Sequence, residues 1–425
     1  MAKPDNSYLE TTKPKIFYGY VIVATVFFVF LVVTGTLSTF GVFFKPLIET
    51  FGWTRVMTSG AFSLYSFLNG SLSIVMGSLT DRFGPRLVLI GAGLLSGIGY
   101  MLMSQVSNIW QLYLFYGVLV AVGMSGGIIP ALSLIARWFV KRRAMMSGFA
   151  MAGMGAGGMT IPLLANWVIT AYGWSSSYFI LGIITLVLLV AAAQLLKRDP
   201  AQMGLSPYGA NEVSNKATQG GSHLEIGGLS LRQAMRARQF WLICVLSFSL
   251  AFISNSIMVH IVITAIGLGI SAANAVFILS IRGGMQVAGQ FILGSLADNI
   301  GNRPTLTLGF SLMSVTLLWL VFISELWMFY LFAVVLGFSL GCWAAAPALI
   351  GEQFGMRSHG LFIGIAFFSS SVGSAIGPVL TGYIFDTTGS YQLAWITTAA
   401  VGIMGIIITL LFRQTNNLVQ ANDNK

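Results

Sequence analysis

Long apolar runs, nearly free of charge, thread this chain from one end to the other. About 20 such residues suffice for a helix to cross the hydrocarbon of a bilayer. In lipid a single segment satisfies its own backbone polar groups only as a helix. Spans are expected at about 17–43, 56–79, 86–105, 110–136, 144–170 and 174–196. A second set follows at about 239–265, 271–297, 304–323, 327–350, 359–385 and 391–412. Only 8% of the residues are charged and 56% are hydrophobic. A soluble domain is near a quarter charged, so the apolar excess must face lipid.

The net charge of +10 would suggest nucleic acid in a soluble protein. Here the cations sit in short loops, where they orient helices, and no nucleic-acid partner is expected. With the N-terminus in the cytoplasm, cytoplasmic segments hold 19 of the 22 Lys and Arg residues. The opposite loops hold only Lys45 and Arg55, and Arg282 alone lies within a span. Both termini are therefore expected inside. The first run, from Phe17, is too long for the apolar core of a signal peptide. Compact loops favour a prokaryotic inner membrane. The expected organisation is a tail (1–16), a six-helix bundle (17–196), a cytoplasmic linker (197–238), a second bundle (239–412) and a tail (413–425). The linker carries Pro200, Pro207 and a Gln-Gly-Gly-Ser run. Its end, Ser230 to Arg238, reads as a short basic amphipathic helix on the membrane surface.

The two bundles echo each other. Gly77-x-Leu79-x-Asp81-Arg82-x-Gly84-x-Arg86 follows the second span, and Gly294-x-Leu296-x-Asp298-x-x-Gly301-x-Arg303 follows the eighth, 217 residues later. A second echo pairs Ser147-Gly148-Phe149-Ala150 with Ile363-Gly364-Ile365-Ala366. Such repeats are a transporter plan. The fold class expected is an all-α membrane protein of twelve transmembrane helices in two pseudo-symmetric six-helix halves.

The Gly-x-Leu-x-Asp-Arg-x-Gly-x-Arg loop resembles the cytoplasmic loop motif of the major facilitator superfamily. Arg137-Trp138-Phe139-Val140-Lys141-Arg142-Arg143, with Gly148, Ala150, Ala152 and Gly153, resembles the fifth-helix motif of monocarboxylate transporters and of the oxalate–formate antiporter family. Phe51-Gly52-Trp53-Thr54-Arg55 is similar to those relatives too. The resemblance implies that Asp81, Arg82 and Arg86, with Asp298, Arg303 and Arg137, latch a closed state. The alternative is that these loops only set tight turns. The relatives' eighth-helix Arg falls at Gln290, the eleventh-helix Lys near Ala366 and the first-helix Lys near Ser38. Fewer cations make a dicarboxylate a poorer fit than a monoanion.

Arg282 is the sharpest signal. It lies roughly 24 Å of helix rise from Asp298, counting about 1.5 Å per residue. An Arg at that depth must face a cavity or a partner. All 12 acidic residues fall in loops, tails or span ends, so a substrate carboxylate is the expected partner. Gln286 and Gln290 share its helix face. A guanidinium bonded to backbone carbonyls is the alternative. His260 is expected to contact substrate or carry the proton, or else to be a helix-end residue bonded to backbone. Tyr116, Asn69 and Tyr383 are candidate hydrogen-bonding groups for the cavity, with packing as the bland reading.

No Walker loop occurs, and His223, His260 and His359 lack metal-ligand spacing. Cys244 and Cys342 lie in apolar runs. No enzyme, cofactor or metal site is expected. The reading is a monomeric secondary carrier with alternating access, moving a monocarboxylate such as lactate or pyruvate with a proton. The alternative is exchange or export of another carboxylate or drug-like anion. A membrane sensor would carry a signalling domain, and a channel has no use for duplicated latch loops.

Overall fold

The computed structural model describes residues 17–139, 142–206, 208, 233, 235–354 and 359–412. Among these, helices trace twelve crossings, eight helices being long and apolar enough to span on that ground alone. The first span is α1 (Tyr18–Ser38) continued by α2 (Phe40–Phe51). The second is α3 (Arg55–Phe83) and the third α4 (Pro85–Met103). The fourth joins α5 (Ile109–Leu112), a π-helical stretch Tyr113–Val120, α6 (Ala121–Ser125) and α7 (Ile128–Trp138). The continuous α8 (Arg143–Leu195) holds the fifth and sixth, folded over at Gly173, whose φ of 82° breaks the helix. In the second half, the seventh span is α9 (Arg238–Gly267), the eighth α10 (Ala272–Ile300) and the ninth α11 (Asn302–Leu320). The tenth is α12 (Leu326–Leu340), a 3-10 turn Gly341–Ala345 and α13 (Ala346–Phe354). The last two are α14 (His359–Thr388) and α15 (Gln392–Leu411).

The repeat is visible at its helix ends. Thr54 caps α3 by accepting from Met57 N–H, and Ser271, 217 residues on, caps α10 by accepting from Asn274 N–H. Such caps satisfy otherwise orphaned donors. Both helices end at a glycine in the same left-handed conformation, Gly84 (φ 85°, ψ 158°) and Gly301 (φ 93°, ψ 158°). These glycines stop the helices several residues past the expected 79 and 297, because a side chain at that φ is strained. In the later spans the offset becomes 216, pairing the bend at Gly173 with Gly389 (φ 72°) and Pro162 with Pro378.

The halves meet along two equivalent seams and one central contact. The second span packs on the eleventh, the fifth on the eighth, and the first on the seventh. At the first seam a Cβ on Gly70 would collide with Ser371; at the second a Cβ on Gly155 would collide with Val287. Gly158 and Gly283 bring two backbones together on that same seam. Small residues allow such approach where apolar burial alone gives little drive. Both seams are tight at the midplane, and that of the second and eleventh spans stays closed to the face away from the linker, called here the far face, where Gly382 lies against Arg55 and Ser59. Toward the linker they part: Cβ atoms on Gly148 and Gly364, the paired positions of the second echo, would meet open space. Phe149 and Phe291 are exposed there.

Within the first half, Gly157 lies against Leu31 O, with Gly35 N only 2.9 Å from its ideal Cβ. Gly157→Ile should cost about 1–3 kcal/mol by overpacking. Gly148→Ala fills empty space and should cost nothing. Thermal unfolding in detergent should show a lowered midpoint for the first and none for the second; equal midpoints would contradict this packing.

Candidate functional site

Arg282 projects from α10 where that helix is pinned on two sides. Gly283 abuts Gly158 of α8, and Gly337 of α12 lies against the Arg282 carbonyl. The side chain therefore runs toward α9. Its Nη2 donates to Ser254 Oγ at 2.5 Å and to Ser254 O at 3.3 Å. Its Nε is buried without a partner. The residue is 6% exposed, and among the described residues no carboxylate pairs with it. A charge at such depth costs roughly 2.5–3.5 kcal/mol on insertion scales, and Ser254 supplies only neutral acceptors. The guanidinium is held in place but not neutralised.

Gln286 and Gln290 follow on the next two turns toward the linker. Both are half-buried, and neither side chain makes a hydrogen bond among the described residues. The 217-residue offset pairs Arg282 with Tyr65, Gln286 with Asn69 and Gln290 with Ser73. In the first half Asn69 and Ser73 are already committed, and Tyr65 packs its ring on Phe62 and Tyr116. Asn69 Nδ2 donates to Ala121 O at 3.5 Å, and Ser73 Oγ to Asn69 O at 2.6 Å. Two equivalent faces thus differ in chemistry: one keeps a cation and two unbonded amides, the other a phenol and two polar side chains bonded to backbone carbonyls. Ser38, where the relatives' first-helix Lys falls, donates to Thr34 O at 2.9 Å and adds no charge.

The other candidates fall elsewhere. Tyr116 is buried inside the first half against Phe40 and Tyr65, its hydroxyl without a partner. Tyr383 is 57% exposed on the stripe of Ile376 and Leu380, which faces outward from the bundle. That removes Tyr383 from the group around Arg282. His260 is fully buried, and both ring nitrogens are engaged. Nε2 lies 2.8 Å from Pro378 O, which can only accept, so Nε2 carries the proton of the neutral ring. Nδ1 then accepts from the Tyr391 hydroxyl at 3.1 Å. His260 therefore offers substrate no free nitrogen in this conformation.

Sequence reading missed the residues around Tyr391. Arg55 Nε donates to Tyr391 Oη at 3.0 Å, and its guanidinium stacks 3.5 Å over the Phe385 ring. The Asp386 carboxylate accepts from the backbone N–H groups of Arg55 (3.2 Å) and Val56 (2.8 Å), the first residues of α3. Arg55 is one of two cations expected on its side of the membrane, and that rarity was the available signal.

On the linker face, the contacts described for the expected latch residues join Arg86 and Arg303 to their own halves and Arg137 to the start of the linker. Arg86 bonds Gln194, and Arg303, its repeat partner, donates to Thr409 O (2.9 Å) and Leu410 O (2.5 Å). Each ties its third helix to the end of its sixth. Arg137 pairs with Asp199 at 3.5 Å. Arg82 lies over Phe83 and Asp298 is exposed. The Asp81 side chain and residues 230–232 and 234 lie outside the described residues; residues 235–237 form a turn ahead of the seventh span and not the expected surface helix.

A profile of the Major Facilitator Superfamily matches residues 26–285 and 243–424, almost the whole chain. The chain belongs to the Major Facilitator Superfamily. Relatives include the uncharacterized MFS-type transporter YhjX of Escherichia coli (strain K12), 28% identical over 74% of this chain and 75% of that one. Monocarboxylate transporter 13 of Bos taurus is 26% identical over 92% and 89%. Monocarboxylate transporter 14 of Homo sapiens is 23% identical over 93% and 90%. A bacterial homolog of the human lysosomal transporter Spinster, solved inward-facing and unoccupied, shares the fold with a TM-score of 0.73 at 15% identity, covering 94% of this chain and 97% of that one. This Major Facilitator Superfamily chain is an integral, multi-pass membrane transporter and not an enzyme.

A charge-assisted hydrogen bond contributes about 1.5–3 kcal/mol. Ser254→Ala removes the side-chain acceptor of a buried cation and should lower the thermal unfolding midpoint in detergent, by a loss of that size. An unchanged midpoint would show that Ser254 does not steady Arg282.

Proposed function

We propose that this protein is a secondary carrier of a small monocarboxylate, lactate- or pyruvate-like, moved together with a proton by alternating access. The observation that carries the reading is Arg282: a buried guanidinium without a carboxylate partner among the described residues, steadied by Ser254, with two amides on the same face that are unbonded among those residues. A carboxylate takes two parallel N–H···O bonds from such a fork. The names of the monocarboxylate transporters support the same substrate class. Gln286 and Gln290 would bind the remaining polar atoms of the anion. Residues 17–196 and 239–412 would be the rocking halves, joined by 197–238. The linker face, with nearly all the cations, would be cytoplasmic, together with both termini, in a prokaryotic inner membrane. The parted linker side then makes the conformation inward-facing. The carrier would work as a monomer, since each chain holds both halves.

His260 is the proposed proton site, as the one histidine inside a span rather than at its end. Exchange or export of another carboxylate is the second reading. It is favoured by the absence of a cation at Ser38, Gln290 and Ala366, where the resembling families hold theirs.

In proteoliposomes, labelled lactate should enter faster when the outside is acidified, and Arg282→Gln should abolish uptake in a folded protein. Uptake indifferent to the pH gradient removes the symport; unchanged affinity in the variant removes the Arg282 contact.

A further inference from the structure

The two seams between the halves are equivalent in backbone but not in chemistry. The seam of the fifth and eighth spans closes through Gly155, Gly158, Met159 and Gly283. At the repeat positions of Arg55, Asp386 and Tyr391 it carries Ala272, Thr170 and Ser175. Only the seam of the second and eleventh spans holds the charged set. There a carboxylate of the second half, Asp386, caps a helix of the first, contacting two of the orphan N–H groups of α3. Arg55 reaches back to Phe385 and Tyr391, and Tyr391 continues to His260 and Pro378. Among the described residues, the other side-chain hydrogen bond crossing this seam, Ser63 to Ala375 O, lies two turns deeper.

We propose that Asp386, Arg55 and Tyr391 form the far-side gate of the transport cycle, and that His260 acts as the proton-sensitive member of this gate rather than as a substrate ligand. The gate rests on the carrier reading, though not on the identity of the anion. To open the far side, α3 must withdraw from Asp386, exposing two N–H groups that water then satisfies. Protonation loosens the same contact. With a proton on Nδ1, both ring nitrogens donate, so Tyr391 can no longer donate to the ring. Tyr391 oxygen would have to accept from the ring and from Arg55 while its own hydrogen loses its acceptor. An imidazolium would also lie close to the Arg55 cation in a buried setting. The groups that face His260 are Tyr391 from the start of α15, Arg55 from α3 and Asp386 from the end of α14. From α2 the neighbour is apolar Phe44, while Lys45 pairs with Glu49 at 3.4 Å. From α10 the charged residue is Arg282. The carboxylate of Asp386 points at the α3 backbone and makes no bond to the ring, so the closed gate holds no ion pair ready for an imidazolium. Acid on the far side therefore favours the open gate, and the proton enters where the seal is, ahead of the anion site at Arg282.

The test is a spin-label distance measurement across the far face, between Thr50→Cys and Thr387→Cys, in a full-length protein with Cys244→Ala and Cys342→Ala, reconstituted in nanodiscs. At neutral pH the parent should show mainly the short distance. Asp386→Ala should raise the long-distance population about fivefold, the loss expected of one helix cap. Tyr391→Phe, which removes a single oxygen and serves if Asp386→Ala does not fold, should raise it in the same direction. Acidification should open the parent, while His260→Gln should abolish that response. Parent-like distances in both gate variants would overturn the gate. An acid response that survives His260→Gln would overturn the role of His260. Lactate uptake, measured in parallel, separates these outcomes from failure of the carrier reading: a working gate with no lactate uptake would leave the gate standing and change the cargo.

Discussion

A positive charge that lipid cannot solvate and the protein does not cancel organises the middle of this molecule. Arg282 is fixed at its backbone by glycines on α8 and α12 and at its Nη2 by Ser254, yet its Nε has no acceptor. A structural arginine at this depth would be expected to exhaust its donors on carbonyls or a carboxylate. One that is steadied but left short of acceptors is suited to a ligand that arrives with its own negative charge and leaves again. The unpaired Nε leaves a donor for such a ligand, while the bond already made to Ser254 keeps the hold from becoming too tight for release.

The scaffold around that charge is a duplicated one on which unlike chemistry has been placed. Helix ends, left-handed glycines and prolines repeat at 217 or 216 residues, so the two seams share a register and can part or close together. Glycine contacts let the backbones slide into contact without interlocking side chains. The functional groups break the symmetry. Arg282 stands opposite Tyr65, and the Asp386–Arg55 contact stands opposite Thr170 and Ala272. In the proposed cycle, rocking is a property of the repeat, while selectivity and gating are properties of the differences between its copies.

Much of this was legible in the chain itself. Spans followed from the length of the apolar runs, and the repeat from two short motifs. Arg282 stood out because it is the sole basic residue within a span. What escaped notice was local geometry across distant segments. Arg55 and Asp386 are 331 positions apart, and nothing in the neighbourhood of either in sequence announces the other. Tyr116 and Tyr383 were chosen as hydrogen-bonding groups on spans, but a helix has several faces. One proved to point into the first half and the other out of the bundle. Arg86 and Arg303 lie in a motif read as a latch, yet each anchors the end of its own sixth helix in this conformation. Residue type marks what a side chain can do, and packing alone decides to whom it does it.

The central claim is a direct bond between a carboxylate and one guanidinium. It is tested most directly by solid-state NMR of the protein in lipid, with 15N-labelled arginine and lactate labelled with 13C at its carboxyl carbon. A dipolar coupling matching roughly 3.5–4 Å, as expected for a bidentate pair, and lost in Arg282→Gln, is the result required. Bound lactate whose carboxyl carbon shows no coupling to arginine, or keeps its coupling in that variant, would contradict the account.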